Sequence, residues 1–319
     1  MDNSTHISSL TQRLIDRSKS QDNIDIGPGA MIVLAAGRKP RFSTFFPYFK
    51  KAEAPEFIAV CEGPCSTDQS FLSKFEEEHF PIRTLDHVIN ALWARAAADN
   101  EKPSIVIHID VSCLSRAAIG RLFAEIKNVS AKKPVDLSVY YSLACFSPPP
   151  EEWAGQNRTV EPLNHTFSGW TSAPDLPVNV IVGLGYEKGK ALGAVEYLEP
   201  HERWVLIPNS PETKYLEKVT QHNIELMKGE YVKRLMYEVL RPADTFLSLH
   251  SLLSGLSATS RPVLFPFGPK IFFATSLVVA MSMENVSVWH VPGEHDDELS
   301  GREPSPYAAI FRCRIETDT

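Results

Sequence analysis

Four stretches of this 319-residue chain place chemically useful side chains directly after an apolar run. Met31 to Ala36 leads into Gly37, Arg38, Lys39, Pro40 and Arg41, and Ile105 to Asp110, IVIHID, leads into Ser112, Ser115 and Arg116. The run ending at Val182 leads into Gly183, Gly185 and Glu187, and Val263 to Phe267 leads into Gly268, Pro269 and Lys270. Arg38, Lys39, Arg41, Arg116 and Lys270 are cations suited to phosphate or carboxylate, with Ser112 and Ser115 as donors. Asp110 and Glu187 would accept from ribose hydroxyls or a base edge, or serve as a general base or nucleophile. The four ends are expected to converge on one site in a cleft between the halves, where a phosphate-bearing, nucleotide-like ligand satisfies both sets. The structural alternative is that Asp110 and Ser112 cap the next helix, the glycines allow tight turns, and the cations are solvated.

Other motifs remove whole classes of chemistry. Gly183, Gly185 and Gly189 form G-x-G-x-x-x-G, one residue longer than the dinucleotide fingerprint. The strand that should carry its ribose-binding acid ends in Ile207, Pro208, Asn209 and Ser210, so an ordinary NAD site is disfavoured. His108 and Asp110 are two apart on a strand and share a face, which suits a core histidine better than a metal ligand while further ligands are unidentified. Glu294, His295, Asp296, Asp297 and Glu298 read as a solvated acidic loop. Cys61 and Cys65 lack the second pair a structural zinc needs, and Cys113 reads as a packing residue. No metal is expected and no cofactor is specified. G-x-S-x-G, the P-loop lysine motif and H-E-x-x-H are all absent.

The elements that must hold these residues follow from periodicity. Short β-branched runs at Met31–Ala36, Phe57–Cys61, Ile105–Asp110, Leu137–Leu143, Val178–Val182, Trp204–Ile207 and Val263–Phe267 read as buried strands. Helical spacing over Phe71–Phe80, Leu85–Ala98, Arg116–Asn128, Lys188–Leu198, Pro211–Met227, Phe246–Leu256 and Ile271–Met283 fills the intervals, and Val286–Val291 and Ala308–Cys313 close the chain as strands. The alternation predicts an α/β fold, a mainly parallel sheet or sheets with flanking helices in two Rossmann-like halves. Residues 1–29 are expected to be an N-terminal helical segment, through Ile7, Leu10, Leu14 and Ile15, and 30–145 the first half. Six prolines between Phe146 and Pro177 mark 146–177 as a connection, with 178–319 the second half.

A net charge of −7 argues against direct DNA binding or attachment to an anionic membrane. The N-terminus shows no secretory pattern, and five cysteines without an export signal point to a cytoplasmic protein.

The runs AGRKPRFSTF, IDVSCLSR, IVGLGYEKGKALGAVEYLEP and RPVLFPFGPKIFF resemble an uncharacterised group of bacterial α/β proteins, over Met31 to Val291. The loop Gly268 to Lys270, between a strand and an apolar helix, is similar to loops in the CRISPR-associated Rossmann-fold (CARF-like) sensors, which bind cyclic oligonucleotides. That resemblance implies a ligand-binding sensor or subunit in a bacterial defence or signalling system, with a nucleotide-like anionic small molecule as ligand and a further protein subunit as a possible partner. A nucleotide-processing enzyme and a scaffold subunit are the rival expectations.

Overall fold

The structure is a computed structural model that describes residues 4–18, 24, 26–36, 41, 44–49, 56–61, 73, 77, 81–98, 103–148, 159–169, 173–229, 231–291 and 302–318. Arg38, Lys39, Cys65, the acidic loop Glu294–Glu298 and nearly all of the predicted helix Phe71–Phe80 fall outside them. The first elements are β1 (Thr5–Asp16), β2 (Met31–Ala36), α1 (Phe46–Phe49), β3 (Glu56–Cys61), β4 (Ile82–Arg83), α2 (Leu85–Ala97), β5 (Ile105–Asp110), α3 (Arg116–Ser130) and β6 (Val135–Ala144). After them come β7 (Glu161–Pro162), β8 (Val178–Gly183), α4 (Lys190–Leu198), β9 (Glu202–Asn209), α5 (Thr213–His222), β10 (Val232–Glu238), α6 (Pro242–Ser257), β11 (Arg261–Pro266), α7 (Lys270–Met281), β12 (Ser287–His290) and β13 (Pro304–Thr317).

These elements form two compact units, 1–145 with 295–319, and 146–294. The first contains a seven-stranded sheet in the order β1-β13-β6-β5-β2-β3-β4, and the second a six-stranded sheet in the order β10-β9-β8-β11-β12-β7. Counted from its first parallel strand, each core runs 3-2-1-4-5: β4-β3-β2-β5-β6 in one unit, β10-β9-β8-β11-β12 in the other. Every pairing within those cores is parallel, and each carries an antiparallel strand beside its fifth. The topology therefore repeats, although no repeat is visible in the sequence. In each unit the order of strands reverses beside the first, between β2 and β5 and between β8 and β11, which opens a crevice at the carboxyl edge.

Two segments depart from the sequence-based expectation. Residues 5–16 are a strand, not a helix, paired antiparallel with β13. Of the apolar positions that suggested a helix, only Ile15 is buried, whereas Leu14 is 54% exposed. The β-branched residues Thr5, Ile7, Thr11 and Ile15 fit a ladder along the fourteen-residue β13. That same strand adds the C-terminal segment to the first unit's sheet, where 178–319 had been expected to form the second half. A strand that the pattern did not suggest, β10, lies at a sheet edge with Leu235 and Met236 exposed, so it shows no apolar alternation.

In the second unit, Val180, Val182, Val205 and Phe265 pack against Ala191, Ala194 and Val195 of α4 and Val219 of α5. Gly183 turns to the opposite face, where a Cβ would overlap the Phe272 ring of α7. Phe272 in turn stacks on Tyr237, with ring centroids 4.4 Å apart. Gly183→Ala is accordingly expected to cost about 1–3 kcal/mol through overpacking. Chemical unfolding followed by far-UV dichroism would measure it, and adding Phe272→Leu should restore part of the loss. A neutral Gly183→Ala would mean that helix and strand are not held this closely.

Candidate functional site

The twelve predicted site residues divide between the units. Arg41, Asp110, Ser112, Ser115 and Arg116 belong to the first, and Gly183, Gly185, Glu187, Gly268 and Lys270 to the second. Arg38 and Lys39 lie outside the described residues.

In the first unit the carboxyl ends of β5 and β6 are joined by a buried polar network. Asp110 accepts from the Ser112 backbone N–H (2.9 Å), and the Ser112 hydroxyl accepts from the Ser142 N–H (2.8 Å). Ser142 and Thr44 share a hydroxyl–hydroxyl bond of 2.9 Å. The helix cap is Ser115, whose hydroxyl accepts from Ala118 N–H (3.0 Å), and Arg116 is the first residue of α3. Capping thus falls to Ser115, while Asp110 and Ser112 close the turn and tie it to β6. Arg41 is 5% exposed, and among the described residues its guanidinium makes one hydrogen bond, from Nη1 to the Ser142 carbonyl (3.3 Å). Its Nε has no acceptor, and no carboxylate pairs with it among the described residues. A buried cation with so little compensation is costly, and such groups are normally paired or bound to a counter-ion.

In the second unit the two predicted loops meet at the crevice between β8 and β11. A Cβ on Gly185 would fall 3.0 Å from the Phe267 carbonyl and overlap the Glu187 carboxylate; one on Gly268 would lie 2.5 Å from Tyr237 Oη and 3.2 Å from the Leu184 carbonyl. The glycines are needed because backbone and side chains from both loops converge there. Asn223 donates to the Gly185 carbonyl (2.8 Å), fixing the loop from behind, and His222 Nδ1 contacts the Tyr186 carbonyl (2.5 Å). Glu187 is 6% exposed and Lys190 8%, the latter with its ammonium 5.8 Å from the centre of the Phe267 ring. Lys270 begins the apolar helix α7, so its charge accompanies a helix N-terminus at the crevice. Asn209, at the end of β9 where a ribose-binding acid was missing, donates to Glu238 (2.7 Å).

His108 and Asp110 do share a face of β5. The imidazole, however, bonds through Nδ1 to Tyr140 Oη (2.7 Å), and burial, with a smaller push from Arg312, holds its pKa down at about 4. Burial also raises the Tyr140 pKa to about 12. No cluster of three metal-ligating side chains occurs among the described residues, and Cys113 is buried at 4% exposure. No helix among them is long and apolar enough to cross a membrane.

Thr44, Tyr140, Ser142, Asn223 and Arg312 were not anticipated as site residues. A signal existed for some of them: Asp136, Ser138, Tyr140 and Ser142 alternate with Val135, Leu137, Val139, Tyr141 and Leu143, which marks a polar row on one face.

No family model matches the chain, and no curated protein matches it. Among solved structures, the fold is similar to that of a Type III CRISPR defence DNA nuclease activated by cyclic oligoadenylate, with a TM-score of 0.50 and 8% sequence identity. The match covers 83% of this chain and 66% of that one, so this chain spans just under two thirds of the neighbour's length. At that identity the likeness is one of fold. The cytoplasmic domain of a prokaryotic cation chloride cotransporter aligns over 88% of this chain and 98% of its own at 10% identity, with a TM-score of only 0.24.

Proposed function

We propose that this chain binds a nucleotide-type, phosphate-bearing ligand at the carboxyl edges of its sheets and acts as a sensor or subunit in a bacterial defence or signalling system. Arg41 carries the reading: a guanidinium 5% exposed, held among the described residues by one carbonyl, is the group that an incoming phosphate would neutralise. The meeting of the Gly183–Glu187 and Gly268–Lys270 loops supports a corresponding crevice in the second unit. Cyclic oligonucleotides head the ligand panel, because the nuclease with the similar fold is activated by one.

The test is release of bound ligand by heat from the purified protein, followed by mass spectrometry. A nucleotide-type compound is expected from the unmodified protein, reduced at least about tenfold in Arg41→Met if the first unit holds it and in Lys270→Ala if the second does, since each removes a charge-assisted bond. Absence of any released nucleotide, together with no binding across the panel, would sink the proposal. A nucleotide-processing reaction is the second reading, favoured by the buried Glu187 carboxylate at the crevice. Turnover lost in Glu187→Gln while the ligand is still retained would select it.

A further inference from the structure

A second, separate feature lies on the face of the first unit's sheet. A cavity of about 290 Å³ is lined by Ser9, Thr11, Gly27, Val106, His108, Asp136, Leu137, Ser138, Arg312, Cys313 and Arg314. Its floor is built by strand register. His108 of β5 is paired with Ser138 of β6, Ser138 with Arg312 of β13, and Arg312 with Thr11 of β1, which sets one polar row across four strands. In the row beside it, Val106 is paired with Asp136 and Asp136 with Arg314, whose guanidinium bonds the Asp136 carboxylate (3.1 Å) and that of Glu316 (3.3 Å). None of the ten described site residues above lines this cavity.

The hydrogen bonds determine what it offers. His108 Nδ1 and Tyr140 Oη share a hydrogen bond of 2.7 Å, in which either group can supply the proton. A neutral imidazole that accepts at Nδ1 carries its proton on Nε2. His108 is 3% exposed, and its Nε2 has no hydrogen-bond partner. A buried ring nitrogen without a partner is an exception that calls for a reason. The rim provides a further exception: Ser9 has a left-handed φ of 53°, at the bulge where the pairing of β1 with β13 shifts between Ser8 and Thr11. Bulges and strained non-glycine residues gather where a strand re-aims side chains at a site. Arg314 is matched by Asp136 and Glu316, so the lining offers the Arg312 guanidinium, an unpartnered ring nitrogen, and the hydroxyls of Ser9, Thr11 and Ser138.

We propose that this cavity is a binding site for a small oxyanion, a phosphate or carboxylate group, with Arg312 as its charge partner and the Nε2–H of His108 and the rim hydroxyls as its donors. The volume is at the small end of the range for ligand sites, which suits a compact anion. The ligand oxygen takes the place of the acceptor that Nε2 lacks. The row of registered side chains is already in place, so binding requires a local adjustment of the imidazole and no rearrangement of the sheet.

The test uses the full chain with ¹⁵N-labelled histidine. Long-range ¹H–¹⁵N spectra report both the tautomer and the surroundings of each ring nitrogen, and His108→Gln assigns the His108 signals. Before any addition, His108 should appear as the Nε2–H tautomer. Inorganic orthophosphate and succinate are then titrated separately to about 10 mM, enough to detect affinities down to the millimolar range. The expected result is a saturable shift of His108 Nε2 with one or both probes; phosphate alone or succinate alone identifies the kind of oxyanion. In Arg312→Gln the affinity should fall at least about tenfold, and in Arg312→Lys, which keeps the charge, by less. An Nδ1–H tautomer, an unmoved His108 with both probes, or an Arg312→Gln protein that keeps its native spectrum and binds as tightly as the parent would each overturn the proposal.

Discussion

Arg41→Met is expected to raise the stability of the ligand-free protein, by about 1–4 kcal/mol, the range seen when buried charge is replaced by apolar side chains of similar volume. Most substitutions of buried residues do the reverse. Arg41 differs because its guanidinium is removed from water at 5% exposure and recovers one bond among the described residues, at 3.3 Å, to the Ser142 carbonyl. Methionine keeps the length of the stem and fills the same space without the desolvation cost. The measurement is the urea midpoint at unchanged slope, made on protein freed of ligand. The same substitution should abolish ligand retention by the first unit, so gain of stability and loss of binding would come from one side chain. A midpoint lowered by Arg41→Met would mean that the guanidinium is held by more than that carbonyl, and the anion-binding argument would lose its main support.

The second large effect is a pH dependence set by His108. Its pKa is about 4 in the folded protein against 6.5 for an ordinary imidazole. Above pH 6.5 the ring is neutral in both folded and unfolded chains, and its contribution is constant. As pH falls from about 6.5 to about 4 the unfolded chain takes up the proton first, so folding stability declines, then levels off below the folded pKa. At about 1.4 kcal/mol for each tenfold change in proton affinity, the full loss is about 3 kcal/mol. Tyr140 acts at the alkaline end: its pKa of about 12 lies above the ordinary 10.0, so stability declines as pH rises through that interval. His108→Leu should flatten the acid limb between pH 6.5 and 4, whatever it does to stability at neutral pH. An acid limb of unchanged slope in that variant would show that carboxylates, and not this imidazole, produce it.

How much of this was legible beforehand depends on what each element required. Met31–Ala36 and Ile105–Asp110 are strands with the bounds that their apolar runs suggested, because a strand covered on both faces needs continuous β-branched or apolar residues and little else satisfies that pattern. The helices Leu85–Ala97 and Arg116–Ser130 agree within a few residues for the corresponding reason. Segment 5–16 was misread because a weakly amphipathic stretch has no preference strong enough to resist a long partner strand, and β13 lies about three hundred residues away in the chain.

For the candidate sites, the residue types, their positions after strands and the α/β class were present in the sequence alone, since strand ends and helix starts follow from local pattern. Three things were settled only by tertiary structure: the repeated 3-2-1-4-5 order, the assignment of residues 304–317 to the first unit, and the alignment of His108, Ser138, Arg312 and Thr11 in one row. Each depends on which strands pair and in what register. Pairing is a contest among distant segments for the same hydrogen bonds and the same buried face, and no window of local sequence contains its outcome.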